Sequence, residues 1–330
     1  MKKHFKKLLL MALMAVMAVG LIACGTDKSD NESTKEEKTS VTITSLDASK
    51  NEIELEVPYN PKRIAILDLA CLDIIDELGV GDRVVGMAST SIDYLEKYSN
   101  DASIKNLGTI KEADLEAVME CEPDIIFIGG RLSKSYDALS EIAPVVYLAT
   151  DTNEGLVNSV SKNAKTIASI FGMEDKVDSL MSDFGARIDA IKKISSGKTA
   201  LVGMTTSGSF NLLGNDGRCS LIGVEAGFNN LTAAGSTSTH GNESSFETVV
   251  QQNPDYIFVM DRDSAISTAG AKTAKEIVEN ELVKTADAYK NNHIIYLEHS
   301  NVWYTAEGGI QALDCLLYTS PSPRDYAASR

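Results

Sequence analysis

Residues 115–128 read LEAVMECEPDIIFI, and residues 246–259, 131 positions later, read FETVVQQNPDYIFV. In each copy, apolar residues at helical spacing run up to a Pro-Asp pair, where a helix is expected to end. A four-residue apolar run then follows, which is typical of a parallel strand that is covered on both faces. The chain is therefore predicted to contain two α/β units of one design.

Each copy of this unit is followed by an arginine, at Arg131 and Arg262, again 131 positions apart. In open α/β sheets, ligands bind at the carboxyl ends of the strands. Two arginines in that position predict a cleft for an anionic ligand, although Arg131 alone would also suit a surface salt bridge. Glu116 and Glu247 form a second equivalent pair, on the helix of each unit.

The first 23 residues are predicted to be a lipoprotein signal peptide. Four lysines precede an apolar run, residues 8–20, that is too short to span a bilayer comfortably. Residues 21–25 read LIACG, which resembles a bacterial lipobox with Cys24 as the acylated mature N-terminus. An ordinary secretory signal is the alternative. Residues 24–45 are predicted to be the lipidated cysteine and a disordered tether, since residues 26–40 are polar, charged or small.

The other end of the chain is expected to be foreign to the natural protein. Residues 315–325 read CLLYTSPSPRD, and one back-translation of them resembles a sequencing adapter read in frame. We therefore expect residues 315–330 to be read-through that interrupts a helix begun at residue 308. The natural protein would then continue with a further C-terminal helix. A genuine Ser/Pro tail is the alternative.

Charge and cysteine content exclude several classes of protein. The formal net charge of −16 at pH 7 becomes −20 without the four signal-peptide lysines, which disfavours binding to nucleic acid or to anionic lipid surfaces. Any anion site must therefore be a local basic cluster. Cys71 and Cys121 fall at apolar positions of helical patterns and are predicted to be buried thiols. Without a Cys-x-x-Cys spacing, we expect neither a zinc site nor a disulfide framework.

Short apolar strands alternate with helices along residues 46–152 and again along residues 198–314, which predicts two α/β lobes with parallel sheets. Residues 153–197 are predicted to be helical and to include the helix that links the lobes. One apolar face of about five turns is predicted there from residues that recur at helical spacing, namely Val177, Leu180, Met181, Phe184, Ile188 and Ile191.

Five short motifs resemble those of the substrate-binding lipoproteins of ABC importers for iron–siderophores and cobalamin. The nearest branch is the ferric-catecholate one, which includes enterobactin- and petrobactin-type binders. The resemblance covers residues 21–314 and implies the class III periplasmic-binding-protein fold, in which two Rossmann-like lobes are joined by one long α-helix. The motifs are Gly129-Gly130-Arg131-Leu132-Ser133, Gly217-Arg218-Cys219-Ser220, Ser238-Thr239-His240-Gly241, Met260-Asp261-Arg262 and Val302-Trp303-Tyr304.

The resemblance implies a role for each matching residue. Arg131, Arg218 and Arg262 would hold catecholate oxygens, and His240 and Tyr304 would reach the iron. For three of these residues, the alternative is a structural role without ligand contact. Arg218 could belong to a polar turn, His240 to a solvated loop, and Tyr304 to aromatic packing. The resemblance also implies that Glu116 and Glu247 dock on arginines of the membrane permease, although exposed helix glutamates need no function.

The chemistry of these residue types suits such a ligand. A ferric tris-catecholate carries about three negative charges, and the permanently charged guanidinium fork of arginine grips deprotonated oxygens. With only two catechols, two positions on iron would stay open. The Tyr304 phenolate and the His240 imidazole would be suitable donors for Fe(III) at these positions.

One departure from the family pattern is Thr305-Ala306-Glu307 after the tyrosine, where relatives are more often small and glycine-rich. Glu307 would bring a negative charge near the pocket, which leaves the particular ligand open. Haem, a hydroxamate siderophore or cobalamin is the alternative ligand, although three cleft arginines argue against haem. An anchored hydrolase using Ser238 and His240 is a further alternative, but the sequence has no GxSxG or HExxH motif.

We therefore expect a monomeric binding protein that has no enzymatic activity and holds no cofactor of its own. It would be lipid-anchored on the outer face of the cytoplasmic membrane, with a ferric catecholate siderophore and an ABC permease as its partners. The long helix between the lobes predicts a rigid cleft that shifts by a few degrees when the ligand binds.

Overall fold

The computed structural model describes residues 38–234 and 237–319. The predicted signal peptide, Cys24 and the last residues of the suspected read-through lie outside these ranges. Within the described part of the chain, no helix has both the length and the apolar character that a bilayer crossing requires.

The first lobe is built on a five-stranded parallel sheet with strand order β5-β4-β3-β8-β9. Its strands Ile64–Ile66, Ile125–Ile128 and Val145–Tyr147 are fully buried, as expected for a sheet covered on both faces. The elements are β1 (Ser40–Leu46), β2 (Glu52–Pro58), β3 (Ile64–Ile66), α1 (Leu69–Glu77), β4 (Val84–Met87), α2 (Glu96–Ser99), β5 (Lys105–Asn106), β6 (Gly108–Thr109), β7 (Glu112–Ala113), α3 (Leu115–Glu120), β8 (Ile125–Ile128), α4 (Tyr136–Ser140) and β9 (Val145–Tyr147).

The tether predicted for residues 24–45 is too long by several residues. Residues 40–45 belong to β1, which pairs antiparallel with β2 along its whole length. Ile43 is 4% exposed, and the Ser45 hydroxyl bonds the backbone of Tyr147, so the hairpin is attached to the edge of the sheet. The alternation of Val41 and Ile43 with threonines is the strand signal that the sequence analysis missed.

The connection between the lobes consists of α5 (Leu156–Phe171), α6 (Glu174–Leu180) and α7 (Phe184–Ser195). The single apolar face predicted across residues 177–191 is therefore wrong, because the chain turns between α6 and α7. The hydroxyl of Ser182 bonds the carbonyl of Ser179, and Asp183 precedes α7, and such short polar side chains favour helix ends over helix interiors. The apolar residues predicted to be buried, such as Val177 and Ile188, nevertheless lie in the core.

The second lobe has a sheet with strand order β13-β11-β10-β14-β15, and β12 pairs separately with β10. Its elements are β10 (Thr199–Thr206), β11 (Ser209–Leu212), α8 (Ser220–Val224), β12 (Asn229–Asn230), β13 (Asn242–Glu243), α9 (Phe246–Gln252), β14 (Tyr256–Asp261), α10 (Arg262–Ala265), α11 (Ala274–Val278), α12 (Asp287–Lys290), β15 (Ile294–Tyr296), α13 (Ser300–Thr305) and α14 (Ile310–Thr319).

This second sheet is mixed, whereas the sequence predicted only parallel strands. Strand β11 runs antiparallel to β10, and β13 runs antiparallel to β11. Ser207 and Gly208 form the two-residue turn between β10 and β11, with φ angles of 51° and 83°. Positive φ at both positions is the signature of the hairpin turn that matches the twist of the strands, and glycine adopts it without strain.

The repeated sequence unit folds as the same helix–strand unit in both lobes, α3–β8 and α9–β14. The aspartate of the Pro-Asp pair has the same structural role in both lobes. The carboxylate of Asp124 accepts the backbone N–H groups of Lys62 and Arg63, just before β3. The carboxylate of Asp255 likewise accepts the N–H of Thr199 at the start of β10. Each aspartate thus bonds the backbone at the start of β3 or β10, the strand of its sheet that neighbours the strand of the repeat.

The last helix, α14, crosses back to the first lobe, so the predicted boundary of 198–314 for the second lobe is wrong. Both carboxylate oxygens of Asp73, on α1, accept backbone N–H groups at the start of α14, from Gln311 and Ala312, at 2.9 Å each. The helix also continues past the expected interruption at residue 315, and Leu316 and Leu317 are buried. One hydrophobic core cluster of buried side chains therefore includes residues of both lobes and of the linking helices.

Candidate functional site

A cavity of about 570 Å³ lies between the two lobes. The first lobe contributes residues that follow its strands β3 and β8, at the carboxyl ends. The second lobe contributes the turn before α8 and the loop before β13, and α13 closes one side. The lining includes Asp68, Arg131, Arg218, Thr239, Tyr304 and Glu307. The position agrees with the rule that ligands of α/β sheets bind beyond the carboxyl ends of the strands.

Three arginines surround the ring of Tyr304. The guanidinium carbons of Arg218, Arg131 and Arg262 lie 4.4, 4.9 and 5.9 Å from the ring centroid. The backbone carbonyl of Tyr304 also accepts hydrogen bonds of 3.4 Å from Arg131 Nη2 and from Arg218 Nε. Arginines from both lobes therefore converge on one residue of α13.

Local structure explains where each arginine lies. Arg131 follows β8, where Gly129 leaves room for the carboxylate of Asp68; any side chain at position 129 would collide with it. Arg262 begins α10, directly after β14, and donates to Asp263 at 2.9 Å. The Nε of Arg262 is buried and has no acceptor among the described residues. Arg218 precedes α8 and donates to the carbonyl of Thr239 at 3.0 Å.

The arginines change the acidity of Tyr304. Burial of the ring opposes ionisation, but a hydrogen bond from Arg262 and the charges of Arg131 and Arg218 outweigh it, and the pKa of Tyr304 is lowered. The reverse effect falls on Arg131, whose pKa is lowered by burial and by the charge of Arg218. Crowded positive charge around a buried phenol favours anions, both the phenolate and an incoming ligand.

His240 lies nearby but does not line the cavity. Its side chain is exposed, in a turn where its carbonyl accepts a hydrogen bond of 2.8 Å from Asn211. Partial burial and the charges of Arg262 and Arg218 lower the pKa of His240. The neutral imidazole, which is the form that binds metals, is therefore favoured. Among the described residues, no group of three or more His, Cys, Asp or Glu side chains could hold a metal ion.

Two carboxylates of the cavity had no assigned role in the sequence. Asp68 caps α1 by accepting the N–H of Cys71 at 3.0 Å, and burial raises its pKa. Its place just after β3 was a usable signal, because that is the same strand-end position as Arg131. Glu307, noted only as a departure, accepts the N–H of Cys219 at 2.9 Å.

Residues singled out for other reasons lie as follows. Glu116 and Glu247 are both exposed, each as the second residue of its helix. Cys71 and Cys121 are buried free thiols, as predicted. His293 stacks on the ring of Tyr256, with centroids 4.3 Å apart.

Comparison with known proteins identifies the family. Residues 64–300 match the profile of the periplasmic binding protein family. The chain belongs to this family. It is 36% identical over 318 residues to the petrobactin-binding protein YclQ of Bacillus subtilis, covering 93% of this chain and 96% of YclQ. It is 25% identical to the ferric-anguibactin-binding protein FatB of Vibrio anguillarum, covering 79% of this chain and 82% of FatB.

Solved structures agree with this assignment. The crystal structure of YclQ superimposes with a TM-score of 0.78 at 35% identity, covering 85% of this chain and 97% of that one. The periplasmic catecholate-siderophore binding protein VctP of Vibrio cholerae gives a TM-score of 0.77 at 30% identity, with 85% and 99% coverage. The predicted family and its two-lobed α/β fold are thereby confirmed.

Proposed function

We propose that this protein captures an anionic ferric siderophore of the catecholate type and delivers it to an ABC permease. The observation that carries the proposal is the convergence of Arg131, Arg218 and Arg262 on Tyr304 beside the cavity between the lobes. In a chain of net charge −16, this local cluster of positive charge favours a compact anion with several deprotonated oxygens. The ligands named for YclQ and VctP support this class.

Within the site, the arginines would hold catecholate oxygens, and Tyr304 would coordinate iron as the phenolate. The lowered pKa of Tyr304 supports that role, because a phenolate is a hard donor that suits Fe(III). His240 would take a second open position on the iron. Since its side chain is exposed and outside the cavity lining, the loop that carries it would have to move toward Tyr304.

Delivery would use the exposed carboxylates of Glu116 and Glu247, one on each lobe, against arginines of the permease. Acylated Cys24 would anchor the protein on the outer face of the cytoplasmic membrane, and the protein would act as a monomer without chemical turnover. The named lipoproteins among the relatives, such as YfiY of Bacillus subtilis at 28% identity, support the anchor.

The proposal is tested by titrating the protein, without signal peptide and tether, with a ferric bis-catecholate and a ferric tris-catecholate. Arg131→Ala should weaken binding of both by roughly tenfold or more, because it removes a charged hydrogen-bond donor. Lys134→Ala is the matched control, an exposed cation in the same 3₁₀ segment and outside the cavity lining. Failure of the unaltered protein to bind either complex, with binding of haem or a ferric hydroxamate instead, would overturn the catecholate assignment.

A further inference from the structure

Two segments of the cavity wall are joined side by side. Arg218 and Cys219 lie on the turn before α8, Tyr304 lies on α13, and Glu307 lies between α13 and α14. Nε of Arg218 donates to the carbonyl of Tyr304 at 3.4 Å, and the N–H of Cys219 donates to Oε1 of Glu307 at 2.9 Å. In the second contact, the side chain of Glu307 binds the backbone of Cys219. Cys219 directly follows Arg218, whose guanidinium group faces Tyr304.

The backbone at Cys219 needs such support. Its φ of 60° and ψ of 15° put it in the left-handed region, which is uncommon for residues other than glycine. The residue is 1% exposed, so water does not satisfy its N–H, and a buried N–H without an acceptor is costly. Glu307 supplies the acceptor and thereby stabilises a turn that would otherwise relax.

We infer that Glu307 is a positioning residue, which fixes Arg218 against Tyr304 by holding the backbone N–H of Cys219. The inference rests on the proposed function and adds a determinant of its specificity. It also explains why a carboxylate is tolerated in a cavity for an anion. Burial raises the pKa of Glu307 to about 7, against the opposing effects of the Cys219 N–H and of Arg218, so its charge is easily neutralised.

The role of Glu307 is separable from its charge by two conservative substitutions. Glu307→Gln keeps an oxygen at the same reach and removes the charge. Glu307→Asp keeps the charge and shortens the side chain by one methylene, which takes the oxygen away from the Cys219 N–H. With the ferric bis-catecholate, we expect Glu307→Gln to bind at least as tightly as the unaltered protein and Glu307→Asp to bind roughly tenfold more weakly. The exposed Glu298, changed to Asp, is the control.

A double-mutant cycle adds a second readout. Glu307→Asp should weaken binding little further in an Arg218→Ala background, because both changes remove the same contact, whereas its effect should be undiminished with Arg131→Ala. Unreduced weakening in the Arg218→Ala background would overturn the inference. So would a Glu307→Asp variant that binds like the unaltered protein.

Hydrogen exchange decides the inference without any ligand, so its failure is distinct from failure of the proposed function. The amide of Cys219 should be protected in the unaltered protein and in Glu307→Gln, and should exchange at least tenfold faster in Glu307→Asp. Equal protection in all three would overturn the inference. Absence of binding by the unaltered protein would overturn the proposed function alone.

Discussion

At the scale of single residues, Tyr304 is the point where the arginines of the site meet. Its ring lies near arginines from both lobes, and its carbonyl accepts hydrogen bonds from Arg131 and Arg218. Three neighbouring guanidinium groups repel one another, so a site of this kind is held together by the fold around it and becomes balanced when an anion enters. Binding energy at this scale is therefore electrostatic, and it depends on the exclusion of water from the cavity.

Tyr304→Phe should weaken binding of the ferric bis-catecholate by roughly tenfold and leave the tris-catecholate nearly unchanged. Only the bis-catecholate leaves positions on iron for the phenolate. The visible absorption change that accompanies binding of the bis-catecholate should be lost in the same variant. Tyr136→Phe, outside the cavity lining, is the control. Equal weakening for both complexes would indicate packing rather than iron coordination by Tyr304.

The presence of Glu307 predicts that the affinity for an anionic ligand depends on pH. The groups that face it are Arg218, the buried thiol of Cys219 and Glu225, and burial raises its pKa to about 7. Above that pH the ionised carboxylate repels an anionic ligand; below it the protonated group does not. Affinity in the unaltered protein should fall several-fold, relative to Glu307→Gln, between about pH 6 and pH 8. Parallel pH profiles of the two proteins, measured by titration, would contradict the prediction.

Among the elements, the repeated helix–strand unit has two uses. The carboxyl ends of β8 and β14 lead into Arg131 and Arg262, and the exposed first turns of α3 and α9 carry Glu116 and Glu247. In each unit the arginine thus follows the end of the strand and the glutamate lies in the first turn of the helix. An internal duplication would place both pairs at once.

Charge reversal separates these two uses. Glu116→Lys combined with Glu247→Lys should reduce siderophore uptake by cells roughly tenfold or more, because like charges would oppose the permease arginines. The affinity for ferric catecholate in solution should change less than about twofold, since neither side chain lines the cavity. Glu96→Lys, at another exposed helix start, is the control. Uptake that is unaffected by the double reversal would contradict the docking role.

At the scale of the whole molecule, carboxylates at helix N-termini hold the lobes together. Asp73 of the first lobe binds the start of α14, and Glu225 of the second lobe accepts the N–H groups of Leu156 and Val157 at the start of α5. A buried carboxylate that accepts several N–H groups at a helix N-terminus is favoured by hydrogen bonding and by the helix dipole. These contacts complement the three-helix connection between the lobes.

Asp73→Ala should destabilise the protein by about 2 kcal/mol, because it leaves buried N–H groups at the start of α14 without an acceptor. The thermal midpoint should fall by roughly 3 °C for a chain of this size. Asp82→Ala, an exposed carboxylate of the same lobe, should leave the midpoint nearly unchanged. A midpoint for Asp73→Ala equal to that of the control would show that α14 does not need this cap.

The same contacts predict a small movement on ligand binding. Closure by more than a few degrees would break the bonds of Asp73 or Glu225, so the lobes should shift only slightly. In solution scattering, the radius of gyration should change by less than about 0.5 Å, from a value near 19 Å. A clearly larger decrease on addition of ferric catecholate would contradict a rigid cleft.

The sequence by itself determined the two α/β lobes, the repeated unit, the cluster of arginines as candidates and the family. Those features depend on local hydrophobic patterns and short motifs, which need no knowledge of distant contacts. Only the tertiary structure decided the break between α6 and α7, the mixed second sheet, the crossing of α14 to the first lobe and the contact of Glu307 with Cys219. Each of these depends on residues far apart in the chain, or on a competition between local polar groups and the backbone that periodicity does not register.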